Sequence, residues 1–328
     1  MKYILISDTH FGIKQNSILW LNSQINYLYN EFIPIIKKLK QKDEVKVIHC
    51  GDVFDSRSTI NPFVATEVRK AFVEIANLCE VYIIAGNHDF YSPKDDNISS
   101  LDLVLSSINN LQIIKNKSQI IFNHSLLLPW YEFNKFIDET NTRGKEIENI
   151  KYIFCHTDLS LLGGDIKKKL FGVKVFSGHI HYPVVDNNLI TLGSVFPLTF
   201  ADCNADRGIY ILDDKTGKLE FIKSKNVIKF WRFYNSKIFN IDEKQYENDY
   251  VELYIDKVNL LDEKYTKRIS EISSIIHNTT VIPIVEQQNK IQNINFKDFN
   301  INDFCIKNIP IQLQKKFETV LLIDENNN

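Results

Sequence analysis

Five short apolar runs in this chain each stop at a residue able to hold a cation. Ile4-Leu5-Ile6 leads into Ser7-Asp8-Thr9-His10, and Val47-Ile48-His49-Cys50 into Gly51-Asp52. Ile83-Ile84-Ala85 ends in Gly86-Asn87-His88-Asp89, Ile153-Phe154-Cys155 in His156, and Val175-Phe176-Ser177 in Gly178-His179-Ile180-His181. Runs this short, rich in β-branched and aromatic residues and bounded by Gly, Asp or Asn, read as buried strands. Between the first two, Ile18, Leu21, Ile25, Leu28, Phe32, Ile35 and Leu39 recur at helical spacing. Asn61-Pro62 supplies an N-cap and a first-turn proline for a second helix reaching Leu78, and a third helical stretch spans 98–108. Alternating strands and helices imply right-handed crossovers and parallel neighbours. In such a sheet the carboxyl ends of the strands line one crevice, where ligands bind. Five strands therefore deliver Asp, His or Asn to one edge, and five of the eight histidines belong to this set.

Beyond Phe176 the pattern changes. Strand candidates at 183–186, 189–192, 208–212, 219–223 and 227–234 follow closely, with Asp213-Asp214-Lys215-Thr216-Gly217 as a turn. They predict antiparallel strands added to a parallel start, in a mixed sheet or two stacked sheets. A smaller unit follows from 235, with strands at 250–255 and 280–285 around a helix at 261–276. The stretch 287–295 has the composition of a linker, and 296–323 carries two short amphipathic helices broken at Pro310. The expected division is thus 1–234, 235–290 and 291–328.

Composition narrows the function. The 39 Lys and Arg residues against 41 Asp and Glu leave a net charge of −2, so any grip on a polyanion must be local or shared with a partner. Five scattered cysteines without a Cys-x-x-Cys pair exclude a disulfide framework or thiolate zinc knuckle and point to a reducing compartment. The amino terminus fits no signal peptide, and no apolar run approaches a membrane span. The expectation is a soluble, cytoplasmic protein with no membrane association.

The chemistry that suits a mixed oxygen and nitrogen set without thiolates is binding of Mn²⁺, Fe or Zn²⁺ rather than Ca²⁺. Seven ligands for two ions require a bridge, which a carboxylate can form and an imidazole cannot. Two ions roughly 3.5–4 Å apart would supply a hydroxide at neutral pH and clamp an in-line phosphoryl displacement. The glycines before Asp52, Asn87 and His179 fit sharp turns that aim the next side chain.

Asp8-x-His10, Gly51-Asp52, Gly86-Asn87-His88-Asp89, His156 and Gly178-His179-x-His181 resemble the motifs of the calcineurin-like metallophosphoesterases. That resemblance implies a four-layer α/β/β/α sandwich, here with a small α+β cap and a C-terminal helical segment. It implies one ion on Asp8, His10, Asp52 and His181 and a second on Asp52, Asn87, His156 and His179. His88 matches the family histidine that steadies the transition state and protonates the leaving oxygen, and Asp55 matches a carboxylate that orients it, giving an Asp55–His88 dyad. Within the family, Gly51-Asp52-Val53-Phe54-Asp55, Leu127-Leu128-Pro129-Trp130 and the run from Gly193 through Phe200 to Asp213 resemble the nuclease subunits of SbcCD-type double-strand-break repair complexes and their phage counterparts. This implies a Mn²⁺-dependent 3′→5′ exonuclease and single-strand endonuclease acting on DNA. It also implies a homodimer through helices in 62–108, and terminal helices docking on an SMC-like ATPase. A phosphodiesterase or phosphatase for a small molecule is the competing reading, and a scaffold without ions is another.

Other polar residues carry weaker signals. Arg57 and Arg207 are candidate phosphate contacts, though ion pairing with neighbours explains them equally well. The basic groups Lys167-Lys168-Lys169 and Lys223, Lys225, Lys229, Arg232 read either as a polyanion contact or as solvated faces. His49 is expected in the core or supporting a ligand, Trp130 in the core, and His124 and His277 outside any ligand context.

Overall fold

The computed structural model describes residues 1–92, 95–143, 149–170 and 172–284. Val285, the linker 287–295 and the expected helices at 296–323 lie outside the described residues. Met1–Pro283 form one compact unit. Its strands are β1 (Lys2–Ile6), β2 (Val45–His49), β3 (Glu80–Ile84), β4 (Phe90–Ser92), β5 (Asp95–Ser99), β6 (Leu111–Ile114), β7 (Gln119–Ile121), β8 (Ser125–Leu128) and β9 (Tyr152–His156). They continue with β10 (Lys174–Gly178), β11 (Val184–Asp186), β12 (Leu189–Thr191), β13 (Gly208–Asp213), β14 (Leu219–Lys223), β15 (Phe230–Tyr234), β16 (Tyr250–Asp256) and β17 (Asn278–Ile284).

Two six-stranded sheets result, ordered β14-β13-β1-β2-β3-β6 and β11-β12-β10-β9-β8-β7. The first is parallel from β1 through β6 and gains β13 and β14 as antiparallel neighbours. In the second, β8, β9, β10 and β12 are parallel, and β7 and β11 close the edges antiparallel. Both expected arrangements are present, since the sheets are mixed and also stacked.

Side-chain alternation explains the stacking. Ile4 and Ile6 of β1 pack against Trp20, Phe32, Val68 and Phe72 of the helices on one face. Tyr3 and Leu5 point the other way, into a core shared with Phe154 and Phe176 of the second sheet. The far face of that sheet, through Ile153, Cys155 and Val175, buries Phe133, Phe136 and Ile166. The order is helix, sheet, sheet, helix, as expected from the resemblance.

The helix Pro62–Leu78 starts as anticipated, with Asn61 Oδ1 accepting from Phe63 N at 2.8 Å. The periodic stretch before β2 is less regular. A π-turn at Leu28–Phe32 joins the helices Ile18–Tyr27 and Ile33–Lys40, with Pro34, which cannot donate to the ladder, just after it. A third sheet, β15-β16-β17, packs with the helix Glu263–Ile275 around Val251, Leu253, Ile255, Ile272 and Ile276. Phe230–Tyr234, inside the expected 1–234 division, pairs parallel to Tyr250–Asp256 while Phe230 packs into the core of the large sheets. Among the described residues no helix is long and apolar enough to cross a membrane.

His49 shows what burial costs a titratable group. Its Nε2 lies 3.1 Å from Thr9 Oγ1, whose hydroxyl donates to Val53 O, while its Nδ1 is buried without a partner. Burial pushes its pKa down from 6.5 to about 3. The unfolded chain therefore binds the extra proton in this window. The associated stability is present above about pH 6.5 and drains away as the pH falls toward 3. Urea unfolding at pH 4.5 is expected to show roughly 2–3 kcal/mol less stability from this group than at pH 7, a loss that His49→Gln removes.

Candidate metal centre

All five strand ends predicted from the sequence meet at one edge between the two sheets. Three groups of ligand atoms, each within 4.8 Å of one another, occupy it: Asp8, His10 and His181; Asp52, His156 and His179; and His10, Asp55 and His88. Asp8, His10, Asp52 and His156 are buried, whereas His179 and His181 are partly open.

Backbone geometry aims these side chains. Asp8, His10, Asp52 and His179 have φ of 51°, 44°, 55° and 80°, a left-handed conformation that non-glycine residues rarely adopt. Such strain persists where surrounding structure enforces it. Here Asp8 N donates to Gly51 O at 3.0 Å and His10 N to Asp52 O at 3.2 Å. Of the three glycines expected to form sharp turns, Gly51 has a positive φ, at 92°. Gly86 serves a different need, because a Cβ there would lie 2.3 Å from Asp52 Oδ1 and 2.9 Å from His156 Cε1. Gly86→Ala is therefore expected to displace Asp52 and weaken divalent-metal binding at least tenfold, measured by calorimetric titration.

Asp89, quoted in the sequence motif but given no role, ties the edge together. Its buried carboxylate accepts from the main-chain N–H groups of Asp52 (3.0 Å), Val53 (3.0 Å), Phe54 (3.3 Å) and Gly86 (2.9 Å). It thereby fixes the loops carrying Asp52 and Asn87. Burial and the neighbouring Asp52 charge raise its pKa to about 7 despite those donors.

The ligand atoms point inward in a consistent way. Asp52 Oδ1 accepts from His88 N at 2.8 Å, leaving Oδ2 at 3.3 Å from His156 Nε2 and 3.8 Å from His10 Nε2. Asp52 Oδ2 thus stands between the two groups, where a bridging oxygen must be. Asp8 accepts from His179 N, and its Oδ1 is 3.9 Å from His10 Nε2 and 4.0 Å from His181 Nε2. Asn87 Oδ1 lies 3.1 Å from His156 Nε2 and 3.0 Å from His179 Nδ1. His156 Nδ1–H donates to Cys50 O at 2.7 Å, which fixes the ring and frees Nε2.

The electrostatics suit cations. Burial disfavours the charged form of His156, but the Asp52 carboxylate outweighs it and lifts the pKa to about 9. Burial would likewise raise Asp52, yet His156 and its neighbours hold it well below the carboxylate range. Both ring nitrogens of His10 are buried without a hydrogen-bond partner, and Nε2 faces two carboxylates at distances too long for a hydrogen bond. Paired carboxylates, imidazoles drawn close around them and an orphaned buried nitrogen fit divalent metal ions, whose charge would replace the imidazole protons.

The Asp55–His88 pair takes a form the sequence did not suggest. His88 Nδ1–H donates to the main-chain carbonyl of Asp55 at 2.6 Å, while the Asp55 carboxylate lies 3.3 Å from His10 Nδ1. Asp55 N is bonded to Phe11 O, and this clamp sets the main chain that presents the carbonyl to His88. Asp55→Ala keeps that carbonyl. It is expected to weaken metal binding on the His10 side by about tenfold to a hundredfold while leaving His88 in place, as read by metal titration and His88 NMR signals.

Arg207 does not reach this edge as a free cation. It is buried, ion-paired with Asp202, and donates to Asp206 O at 3.1 Å, because Asp202 needs a countercharge while capping Leu198 N and Thr199 N. Arg57 is partly exposed and has no hydrogen bond or ion pair among the described residues. His124 lies elsewhere, between Phe122 O and Asp214 Oδ1. Trp130, expected in the core, packs with its ring tilted 46° against His179 at 4.9 Å and edge-on to His156 at 6.0 Å. Its signal was positional, since it follows β8 just as the ligands follow their strands.

The chain is similar to proteins already known. Residues 1–183 match the family model described as calcineurin-like phosphoesterase. Exonuclease subunit 1 of Enterobacteria phage T4 is 25% identical over 303 residues, covering 87% of this chain and 85% of the phage protein. The DNA double-strand break repair protein Mre11 of Methanococcus maripaludis is 28% identical over 141 residues, covering 40% of this chain and 35% of that protein. A solved archaeal phosphodiesterase superposes with a TM-score of 0.32 and 16% identity, covering 68% of this chain and 99% of its own. With more than half its length matched and its ligand-bearing strand ends gathered at one edge, the chain belongs to the calcineurin-like phosphoesterase family and is a metal-dependent phosphoester hydrolase.

Proposed function

We propose that this chain is a DNA nuclease. The observation that supports it is the placement of Asp52 Oδ2 between two groups of cation ligands, in a chain similar along most of its length to a phage exonuclease subunit. One ion is assigned to Asp8, His10, Asp52 and His181, the other to Asp52, Asn87, His156 and His179, with Mn²⁺ as the expected metal. When bound, two such ions supply Lewis acidity at the phosphoryl oxygens and an activated water. The protein's own residues do the rest. The Asp89 hub, the Gly51 turn and the space left by Gly86 hold the ligand loops in register, and Trp130 walls the partly open His179. His88, with Nδ1–H tied to Asp55 O and its ring edge-on to His10 at 5.0 Å, keeps Nε2 for the leaving oxygen.

The rest of the reading follows. Residues 1–234 are assigned to the nuclease domain, with Phe230–Tyr234 reaching into the sheet of the cap, 235–290 to that cap, and 291–328 to the segment that docks on an SMC-like ATPase in a double-strand-break repair complex. Exposed Phe63, Tyr91, Ile98 and Leu103, in and around the helices Pro62–Leu78 and Ser100–Leu105, support a homodimer through 62–108. The test is incubation of end-labelled single- and double-stranded DNA with Mn²⁺, Mg²⁺ or EDTA. Metal-dependent shortening of the strands is expected. Turnover of a small phosphodiester or phosphomonoester with DNA left intact would replace this reading with that of a small-molecule phosphoesterase.

A further inference from the structure

A pocket lined by both charged and apolar side chains lies at the end of β13 and β14 that strand register sets beside the ligand-bearing end of β1. β13 runs antiparallel to β1 with Leu5 opposite Tyr210, so Arg207 lies just beyond Ile6, where β1 delivers Asp8. β14 pairs with β13 through Gly208 and Lys223, which brings Lys223 to the same end. At about 4.8 Å per strand, Lys223 stands roughly 10 Å to the side of β1. Main-chain links tie the two places together, since Val195 N donates to Ser7 O and Ser224 Oγ to Val195 O at 2.8 Å.

The pocket has a volume of about 180 Å³ and is walled by Asp202, Asp206, Arg207, Lys223, Ser224 and Lys229, among others. That suits a small ion better than a drug-sized ligand. Its charges are not balanced. Arg207 pairs with Asp202 and Lys223 with Asp206, but Lys229 has no ion pair among the described residues. The nearby Asp249 carboxylate accepts from Lys229 N and Trp231 Nε1–H and feels the Lys229 charge without forming an ion pair with it. Independently, Arg207 is 3% exposed and its Nε–H is buried with no hydrogen-bond partner. A buried guanidinium N–H left unpaired beside an ammonium that forms no ion pair calls for an anionic acceptor.

We propose that this pocket is a phosphate subsite, in which Arg207 Nε–H and the Lys229 ammonium hold a phosphodiester group of the strand whose scissile phosphate lies at the metal centre. It rests on the nuclease reading for the identity of the strand, though not for the anion. It also gives a role to Arg207, which binds one phosphate oxygen through Nε–H, the guanidinium nitrogen that Asp202 and Asp206 leave without a partner. Lys223 and Arg232, paired with Asp206 and Glu252, are left out.

The experiment uses the full chain in EDTA, so that the metal centre cannot capture the probe. The first probe is inorganic phosphate, followed by calorimetry and by electron density in the pocket. The second is a fluorescent single-stranded oligonucleotide, followed by anisotropy across a salt series. Arg207→Lys keeps a charge for Asp202 but lacks the Nε–H, and Lys229→Gln alters a side chain that is not fully buried. Each is expected to weaken oligonucleotide binding about fivefold, and Lys229→Gln to flatten the slope of log K against log salt by about 0.7. Unchanged affinity and slope in both variants, or only water in the pocket at saturating phosphate, would overturn the subsite. If Arg207→Lys fails to fold, Lys229→Gln alone decides. Cleavage of DNA by wild-type protein with unaltered binding by the variants removes the subsite and leaves the nuclease. Phosphate bound through Arg207 and Lys229 in a chain that does not cleave DNA does the reverse.

Discussion

Replacing His88 with alanine is expected to leave both metal ions in place and to slow phosphodiester cleavage by about 10²–10⁴-fold. The separation follows from geometry. His88 offers its main-chain N–H to Asp52 Oδ1 and its Nδ1–H to Asp55 O, so the side chain is held by one bond while the ligand loop is held by another. Alanine retains the first and deletes the ring, leaving Asp52 oriented. The effect should grow with the pKa of the leaving group, because the poorest leaving oxygen depends most on a proton. Metal content by elemental analysis and rates on esters with graded leaving groups check both halves. A near-normal rate would remove His88 from the chemistry, and lost metal would make it a structural element of the ligand set.

Asp52→Asn is the second large effect. Asp52 Oδ2 lies 3.3 Å from His156 Nε2 and 3.8 Å from His10 Nε2, so it serves both ligand groups. An amide lacks the negative charge to bridge, and with its one oxygen on the Oδ2 side its NH₂ would face the His88 N–H. It also removes the carboxylate that balances His156, a fully buried imidazole whose raised pKa depends on that charge. Truncating one partner of a buried pair strands the other. The variant is expected to lose at least one of the two ions and to fall to background cleavage. Spin-coupled Mn²⁺ signals in the EPR spectrum distinguish a surviving pair from a single ion. A coupled signal equal to that of wild type would show that Asp52 does not bridge.

The strand ends were legible because they obey two local rules. A buried strand must be apolar, and a cation ligand must be polar, so Ile6 to Asp8 or Ala85 to Asn87 stands out in a single chain. The four-layer sandwich was less visible from periodicity, because the strands that complete it are short. Gln119–Ile121 and Leu111–Ile114 have too few residues to establish an alternation, and the helix Glu132–Arg143 has few apolar positions. The exchange of Phe230–Tyr234 into the third sheet could not be seen, since pairing partners are set by tertiary contacts. Asp89 escaped because its function is to accept main-chain N–H groups, and backbone donors leave no trace in sequence. For the expected Asp55–His88 dyad, a motif cannot reveal that the main chain does the bonding while the carboxylate turns to His10. Arg207 was an ambiguous charge until Asp202 appeared beside it.

Anomalous diffraction from crystals soaked in manganese puts the shared-ligand arrangement to the most direct test. The account predicts two peaks on either side of Asp52 Oδ2, one ringed by Asp8, His10 and His181 and the other by Asn87, His156 and His179. A single peak, or two that do not share Asp52, would contradict it.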